Sequence, residues 1–227
     1  MSRKVVRLTV DHLARLPESI RSCLFWELDP VRRDRVPAEE AAAEKEAWLS
    51  EVLREWGSCG RVVLVDDDVA GMAVYAPEAF VPGAASFPTA PVSPDAVLLT
   101  TVYVDPARTG GGLGRLLVQG MARDLIRRGG IPAVEAFGHV RHGGASPVTE
   151  RVRCTVPADF LGSVGFKTQR PHPTSPRMRM DLRSALTWRD EVESAIERLV
   201  DVVRPAPKPA RPPTPTRVSG SVPRASE

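Results

Sequence analysis

The sequence predicts an α/β chain of about seven strands with flanking helices, and three observations carry that prediction. Runs rich in β-branched and apolar residues recur along the first two thirds of the chain, at 4–10, 61–65, 69–75, 96–104 and 133–137. Segments with apolar residues at helical spacing separate them, above all 37–56 and 113–128. Between the strand at 96–104 and the helix that follows lies a turn with four glycines, Gly110, Gly111, Gly112 and Gly114.

Taken in order, Lys4–Val10 reads as a first strand, and Asp11 is placed to cap a short helix through Leu16. Residues 17–36 show no period and read as irregular. Within them Cys23, Leu24, Phe25, Trp26 and Glu27 concentrate bulk suited to a core or a pocket wall, with Trp26 and Glu27 candidates to touch substrate. Pro37 with Glu39 and Glu40 opens a helix whose Trp48, Leu49, Val52, Leu53 and Trp56 share a face until Gly57 ends it. Arg61–Val65 and Val69–Tyr75 form a hairpin across Asp66, Asp67 and Asp68. Residues 76–95 carry five prolines and read as a long loop, either overhanging an active site or variable.

Ala96–Val104 is the next strand. The helix after the glycine turn sets Leu113, Leu116, Leu117, Met121 and Leu125 on one face and closes at Arg127, Arg128 and Gly129. Ala133–Phe137 is a strand, and residues 138–156 form a polar insertion bearing His139, Arg141, His142 and Glu150. Pro157–Val164 begins a short helix, Gly165–Thr168 starts a strand, and Met178–Leu182 supplies the last one. Thr187 and Asp190 can cap a further helix whose Trp188, Val192, Ile196, Leu199 and Val203 make one apolar stripe, packed back on the domain or used as a homodimer contact. From Arg204 onward, seven prolines and almost no large apolar groups predict a disordered tail. The expected organisation is a domain over 1–183, a helix over 184–203 and a tail over 204–227.

The glycine turn is the one stretch that names a ligand. Positions without a Cβ let the backbone approach an anion and aim several N–H groups at it, and the helix dipole adds positive potential there. A dinucleotide fingerprint is excluded by its mid-chain place and spacing, and a Walker A loop by the lack of Gly-Lys-Ser/Thr.

The run from Val102 to Gly114 resembles the acetyl-CoA signature of the GNAT N-acetyltransferase superfamily, with Gly112 and Gly114 as its glycine pair and Thr109 where arginine or glutamine is usual. Phe160 to Phe166 resembles the second signature of the same superfamily, with Leu161 in the place of its usual tyrosine. The resemblance covers about residues 4–183. It implies a mixed, mostly antiparallel central sheet that parts beside the glycine-rich helix. It also implies that Val102, Tyr103 and Val104 hydrogen-bond the pantetheine arm, and that Thr109, Gly110, Gly111, Gly112, Leu113, Gly114 and Arg115 bind the pyrophosphate.

The implied reaction is direct attack of an amine on the acetyl thioester, with acetyl-CoA as co-substrate and a small molecule or protein amine as acceptor. At pH 7, deprotonating a lysine-like amine of pKa near 10.4 costs about 4.6 kcal/mol, against about 1.1 for an α-amine near 7.8. A strong base is thus needed mainly for the first. The strand 96–104 contains no acid before its end, so Glu135 in the neighbouring strand is the first candidate base, followed by His139 and Glu27. Candidate proton donors to the departing thiolate are Tyr103 and Cys154. A missing base favours a low-pKa amine or a water relay; it also motivates a competing reading as a non-catalytic acyl-CoA-binding domain.

Composition narrows the remaining classes. At 227 residues and 42% apolar content the chain can bury one sizeable core. No apolar run is long enough for a membrane span, and no signal-peptide core follows the first residues, so a cytoplasmic protein is expected. Arginine far outnumbers lysine, as in proteins of G+C-rich bacteria. The basic balance resides in the tail, which leaves the body near neutral and gives no argument for nucleic acid. Cys23, Cys59 and Cys154 are far apart with no metal-ligand spacing, so reduced thiols and no metal are expected.

Overall fold

Asp66 and Asp67, both at positive φ (50° and 68°), reverse the chain between two strands so that Val65 pairs with Asp68. This is the two-residue turn whose twist matches that of the flanking strands, and Asp tolerates it better than most side chains. The hairpin sits inside a sheet of eight strands in the computed structural model, which describes residues 2–140 and 154–182. The strands are β1 (Arg3–Arg7), β2 (Gly60–Val65), β3 (Asp68–Ala76), β4 (Ala96–Val104), β5 (Ala133–His139), β6 (Val156–Pro157), β7 (Lys167–Arg170) and β8 (Arg177–Asp181). Their order is β1-β2-β3-β4-β5-β8-β7, with β6 pairing β5. β4–β5 and β5–β6 are parallel and every other pair is antiparallel.

Helices cover both faces, which is why the central strands read as nearly unbroken apolar runs. The helices are α1 (Val10–Leu13), α2 (Glu18–Arg21), α3 (Pro30–Arg33), α4 (Ala41–Glu55), α5 (Leu113–Arg128) and α6 (Ala158–Ser163). α5 lays Leu117, Met121 and Leu125 over Val63, Tyr75, Leu99 and Val134. On the opposite face, Leu13 of α1 and Trp48, Leu49 and Val52 of α4 pack with Met72, Val74 and Leu98. Each such fully buried side chain contributes about 1.5–3 kcal/mol.

Three local expectations change. Thr9, not Asp11, is the N-cap of α1, and Asp11 falls in its first turn, where its charge suits the dipole. Residues 17–36 hold α2 and α3, four-residue helices too short for a periodic signal. The proline-rich stretch 76–95 is part of the core: Val81, Ala84, Phe87 and Val92 are buried, and Phe87 stacks between Trp26 and Phe137 at 5.1 and 4.4 Å. Trp26 is accordingly a core residue, its indole N–H donating to the Cys154 carbonyl at 2.8 Å.

The chain divides into a unit over 1–188 and another over 189–227. The expected helix over 184–203, the tail, and the insertion residues Arg141, His142 and Glu150 lie outside the described residues. No helix among the described residues is long and apolar enough to cross a membrane.

Candidate functional site

The site begins where β4 leaves β5. The two strands pair only through Ala96, Val97 and Leu98 of β4, opposite Ala133, Val134 and Glu135. Just beyond, Thr100 is the extra residue of a bulge against β3: Val74 pairs Thr101 while Tyr75 pairs Leu99. The Thr100 hydroxyl, donating to the Val74 carbonyl at 3.1 Å, anchors the bulge. From Leu99 to Val104 the edge of β4 facing β5 therefore has no ladder partner among the described strands. The last four residues of β4 are only half-buried, in contrast to the continuous burial of β5.

That open edge runs into the glycine turn. Asp105 fixes the exit from β4, its N–H donating to the Ala70 carbonyl and its carboxylate accepting from the Ala107 N–H, both at 2.9 Å. Gly110 and Gly112 sit at φ 80° and 75°, and a Cβ on either would meet nothing within 4 Å. Space is open above them. Gly112 is the N-cap of α5 and has no side chain to bond the first helical N–H groups, nor does any acid lie in the first turn. Uncapped donors, the dipole and open space are together suited to an anion. Arg3 reaches across from β1 to donate to the Gly111 carbonyl at 2.9 Å, which brings a guanidinium to the turn that the local sequence does not announce.

Gly114 has a different task. A Cβ there would stand 3.0 Å from two ring atoms of Phe160, so its absence lets α6 close onto the first turn of α5 and joins the two signature segments physically. Arg115 strengthens this joint by donating to the Ser163 carbonyl at 2.9 Å. Leu113 is buried beneath the turn, and the Thr109 hydroxyl donates back to the Pro106 carbonyl at 3.0 Å.

A cavity of about 500 Å³ adjoins the open half of β4, lined by Val102, Tyr103, Cys23, Arg33, Lys45 and Cys154 among others. Tyr103 thus belongs to both the strand edge and the cavity wall. Burial first, and then the Asp105 carboxylate, hold its phenol above the ordinary tyrosine range, so it remains a proton donor at neutral pH. A second cavity, of about 590 Å³ between β1 and α5, is lined by none of the predicted site residues.

Glu135 stands at the zipped end of the β4–β5 pair, fully buried. Its carboxylate ion-pairs with Arg177 and Arg179, each at 3.4 Å, and accepts from the Ser93 N–H at 3.1 Å. His139 is also buried, with Nδ1 3.1 Å from the Thr155 hydroxyl. Neither lines the cavity. Glu27 is held by Lys45 in an ion pair at 2.5 Å, both side chains being almost wholly buried. Leu161 is a core residue. Cys23 reaches the cavity from the segment read from sequence as core or pocket wall, whereas Arg33 and Lys45 reach it from segments whose sequence spacing offers no signal for it. Among the described residues no group of three or more His, Cys, Asp or Glu side chains is arranged to hold a metal ion.

No match was found among curated proteins. A crystal structure titled only as an acetyltransferase covers 79% of this chain and 99% of its own at TM-score 0.52 and 17% identity. The loading GNATL domain of CurA from Lyngbya majuscula covers 81% of this chain and 100% of its own at TM-score 0.50 and 14% identity. The PaiA N-acetyltransferase from Thermoplasma acidophilum, solved in complex with coenzyme A, covers 80% and 99% at TM-score 0.49 and 17% identity. In sequence, the profile of the Acetyltransferase (GNAT) family matches residues 23–145, more than half of the chain, and spans the bulged β4, the glycine turn and α5. The chain belongs to the GNAT acetyltransferase family and is an acyltransferase of that fold.

Proposed function

We propose that this acetyltransferase carries acetyl from acetyl-CoA to a primary amine of a small molecule or protein by direct attack. One observation carries the reading: a strand edge, 99–104, with no ladder partner among the described strands leads into an uncapped helix N-terminus at Gly112. The edge at Val102, Tyr103 and Val104 suits the amides of a pantetheine arm. The N–H groups over Thr109–Arg115 suit a pyrophosphate, with the Arg3 guanidinium alongside Gly111. The bound thioester would supply the acetyl group.

The acceptor would enter through the 500 Å³ cavity, whose described lining contains no carboxylate. An amine that is cheaply deprotonated near pH 7 fits such a wall better than a lysine side chain does. Tyr103 is suited to hydrogen-bond the departing sulfur, since its phenol keeps its proton. Glu135, clamped by two arginines, fits a structural strut better than a base.

Gly112→Glu should lower acetyl-CoA affinity at least 100-fold, because it sets a carboxylate against the phosphates and forces a side chain into φ 75°. The check is calorimetric titration beside a melting curve that establishes folding. Tyr103→Phe should cut kcat about 10- to 100-fold with little change in acetyl-CoA affinity. Glu135→Gln should leave kcat within about twofold while reducing stability. A panel of amines spanning pKa values of about 7.5 to 10.5 tests the acceptor class; fast turnover on lysine side chains, lost in Glu135→Gln, would reverse it. Coenzyme A binding without transfer to any amine would favour a non-catalytic acyl-CoA-binding role.

A further inference from the structure

Two thiols face each other on the wall of the cavity. Cys23, in the α2–α3 connection, and Cys154, at the entry to β6, place their sulfurs 3.2 Å apart although 131 positions separate them in sequence. That is only about 1.2 Å beyond a bonded S–S distance. Both are half-buried, and both line the 500 Å³ cavity, so a small oxidant can reach them.

The backbone at each cysteine is pinned from a different element. The Lys45 ammonium on α4 donates to the Cys23 carbonyl at 2.8 Å, and the Trp26 indole donates to the Cys154 carbonyl at 2.8 Å. Lys45 is itself fixed by Glu27, and Trp26 by its stack on Phe87. The pair is therefore held in place by buried neighbours on both sides.

We propose that Cys23 and Cys154 form an oxidation site, closing to an intramolecular disulfide under hydrogen peroxide and so bracing the wall of the cavity that we read as the acceptor entrance. The chemistry balances in two steps. The Cys23 thiolate attacks one peroxide oxygen, breaking the O–O bond to give a sulfenic acid and, after protonation, one water. The Cys154 sulfur then attacks the Cys23 sulfur, forming the S–S bond while hydroxide leaves and is protonated by the thiol proton to a second water. Two thiols are oxidised by two electrons and one peroxide is reduced to two waters.

Cys23 is the better first nucleophile. Its thiol is drawn down to about 7, chiefly by the hydrogen bond with Cys154 and further by the Lys45 charge, against the opposing effect of burial. Cys59 is an internal control: it is fully buried, and burial pushes its thiol up to about 12.

The acceptor consequence rests on the acetyl-CoA reading, but the disulfide does not. The test treats reduced full-length protein with excess hydrogen peroxide, alkylates it in denaturant and maps peptides without reduction. The expected result is one cross-linked species joining Cys23 to Cys154, with Cys59 alkylated. Closing so long a loop should raise Tm by about 10 °C, reversibly with dithiothreitol, and Cys154→Ser should abolish both changes. Alkylation of both Cys23 and Cys154 after peroxide, or pairing through Cys59 or between two copies, would overturn the proposal. Coenzyme A titration in both redox states separates the readings. The oxidised protein should bind coenzyme A as the reduced one does and transfer acetyl more slowly. Absence of coenzyme A binding in either state would count against the acetyl-CoA reading and not against the mapped disulfide.

Discussion

Asp124→Ala is expected to lower unfolding free energy by about 3–5 kcal/mol, read from urea denaturation. Asp124, on α5, sits at the centre of a nearly buried polar group. It accepts the Tyr75 hydroxyl of β3 at 2.7 Å, ion-pairs directly with Arg61 of β2, and lies 3.5 Å from Arg128. Without the carboxylate, Arg61 keeps only neutral partners among the described residues: the Ser58 hydroxyl at 3.1 Å and the Gly60 and Gly120 carbonyls at 3.3 and 3.4 Å. A buried guanidinium with no counter-charge is the costly state, whereas deleting both charges together is much milder. Asp124→Leu with Arg61→Met should therefore lose less than Asp124→Ala alone.

The same cluster gives a pH dependence. Burial first, and then the hydrogen bond to the Asp124 carboxylate, raise the Tyr75 phenol above its ordinary range, while an unfolded tyrosine titrates near 10. A raised folded pKa contributes stability that is complete below about pH 10 and erodes as pH climbs above it. Wild-type urea midpoints should fall between about pH 9 and 11, and should fall less in Tyr75→Phe.

Lys45→Met is the second large effect, again about 3–5 kcal/mol. Lys45 and Glu27 bury a full charge each, and among the described residues Glu27 has one further partner, the Trp26 N–H at 3.2 Å. Removing the ammonium strands the carboxylate and also releases the Cys23 carbonyl. A double change with Glu27→Leu should recover much of the loss, and the double-mutant cycle measures the coupling. Because the pair supports the loop that carries Cys23, Lys45→Met should also slow closure of the Cys23–Cys154 disulfide, visible as a slower rise of the cross-linked peptide.

What the sequence discloses follows from how local the governing physics is. The bounds of α5 are legible because Gly112 and Gly129 meet backbone requirements, positive φ at 75° and 74°, that can be read from two positions. The glycine turn that precedes α5 is legible for the same reason. The pairings that tie distant segments together are not local: Arg3 to Gly111, Arg61 to Asp124 and Cys23 to Cys154 join segments with no shared period or motif. Glu135 illustrates the difference. Its strand and position were readable, yet the arginines that occupy it arrive from β8, whose place beside β5 is a fact of topology. The stretch 76–95 misled because prolines signal a loop and say nothing about whether that loop is packed.

The most direct test of the acyl-CoA cradle is thermal melting of the wild-type protein in a titration with acetyl-CoA and, separately, coenzyme A. Saturation at 100 times the dissociation constant adds about 2.7 kcal/mol, or roughly 5–11 °C in Tm. The predicted result is a saturable rise of that size with both ligands, abolished in Gly112→Glu. A Tm unmoved by either ligand would contradict the cradle and the transfer chemistry built upon it.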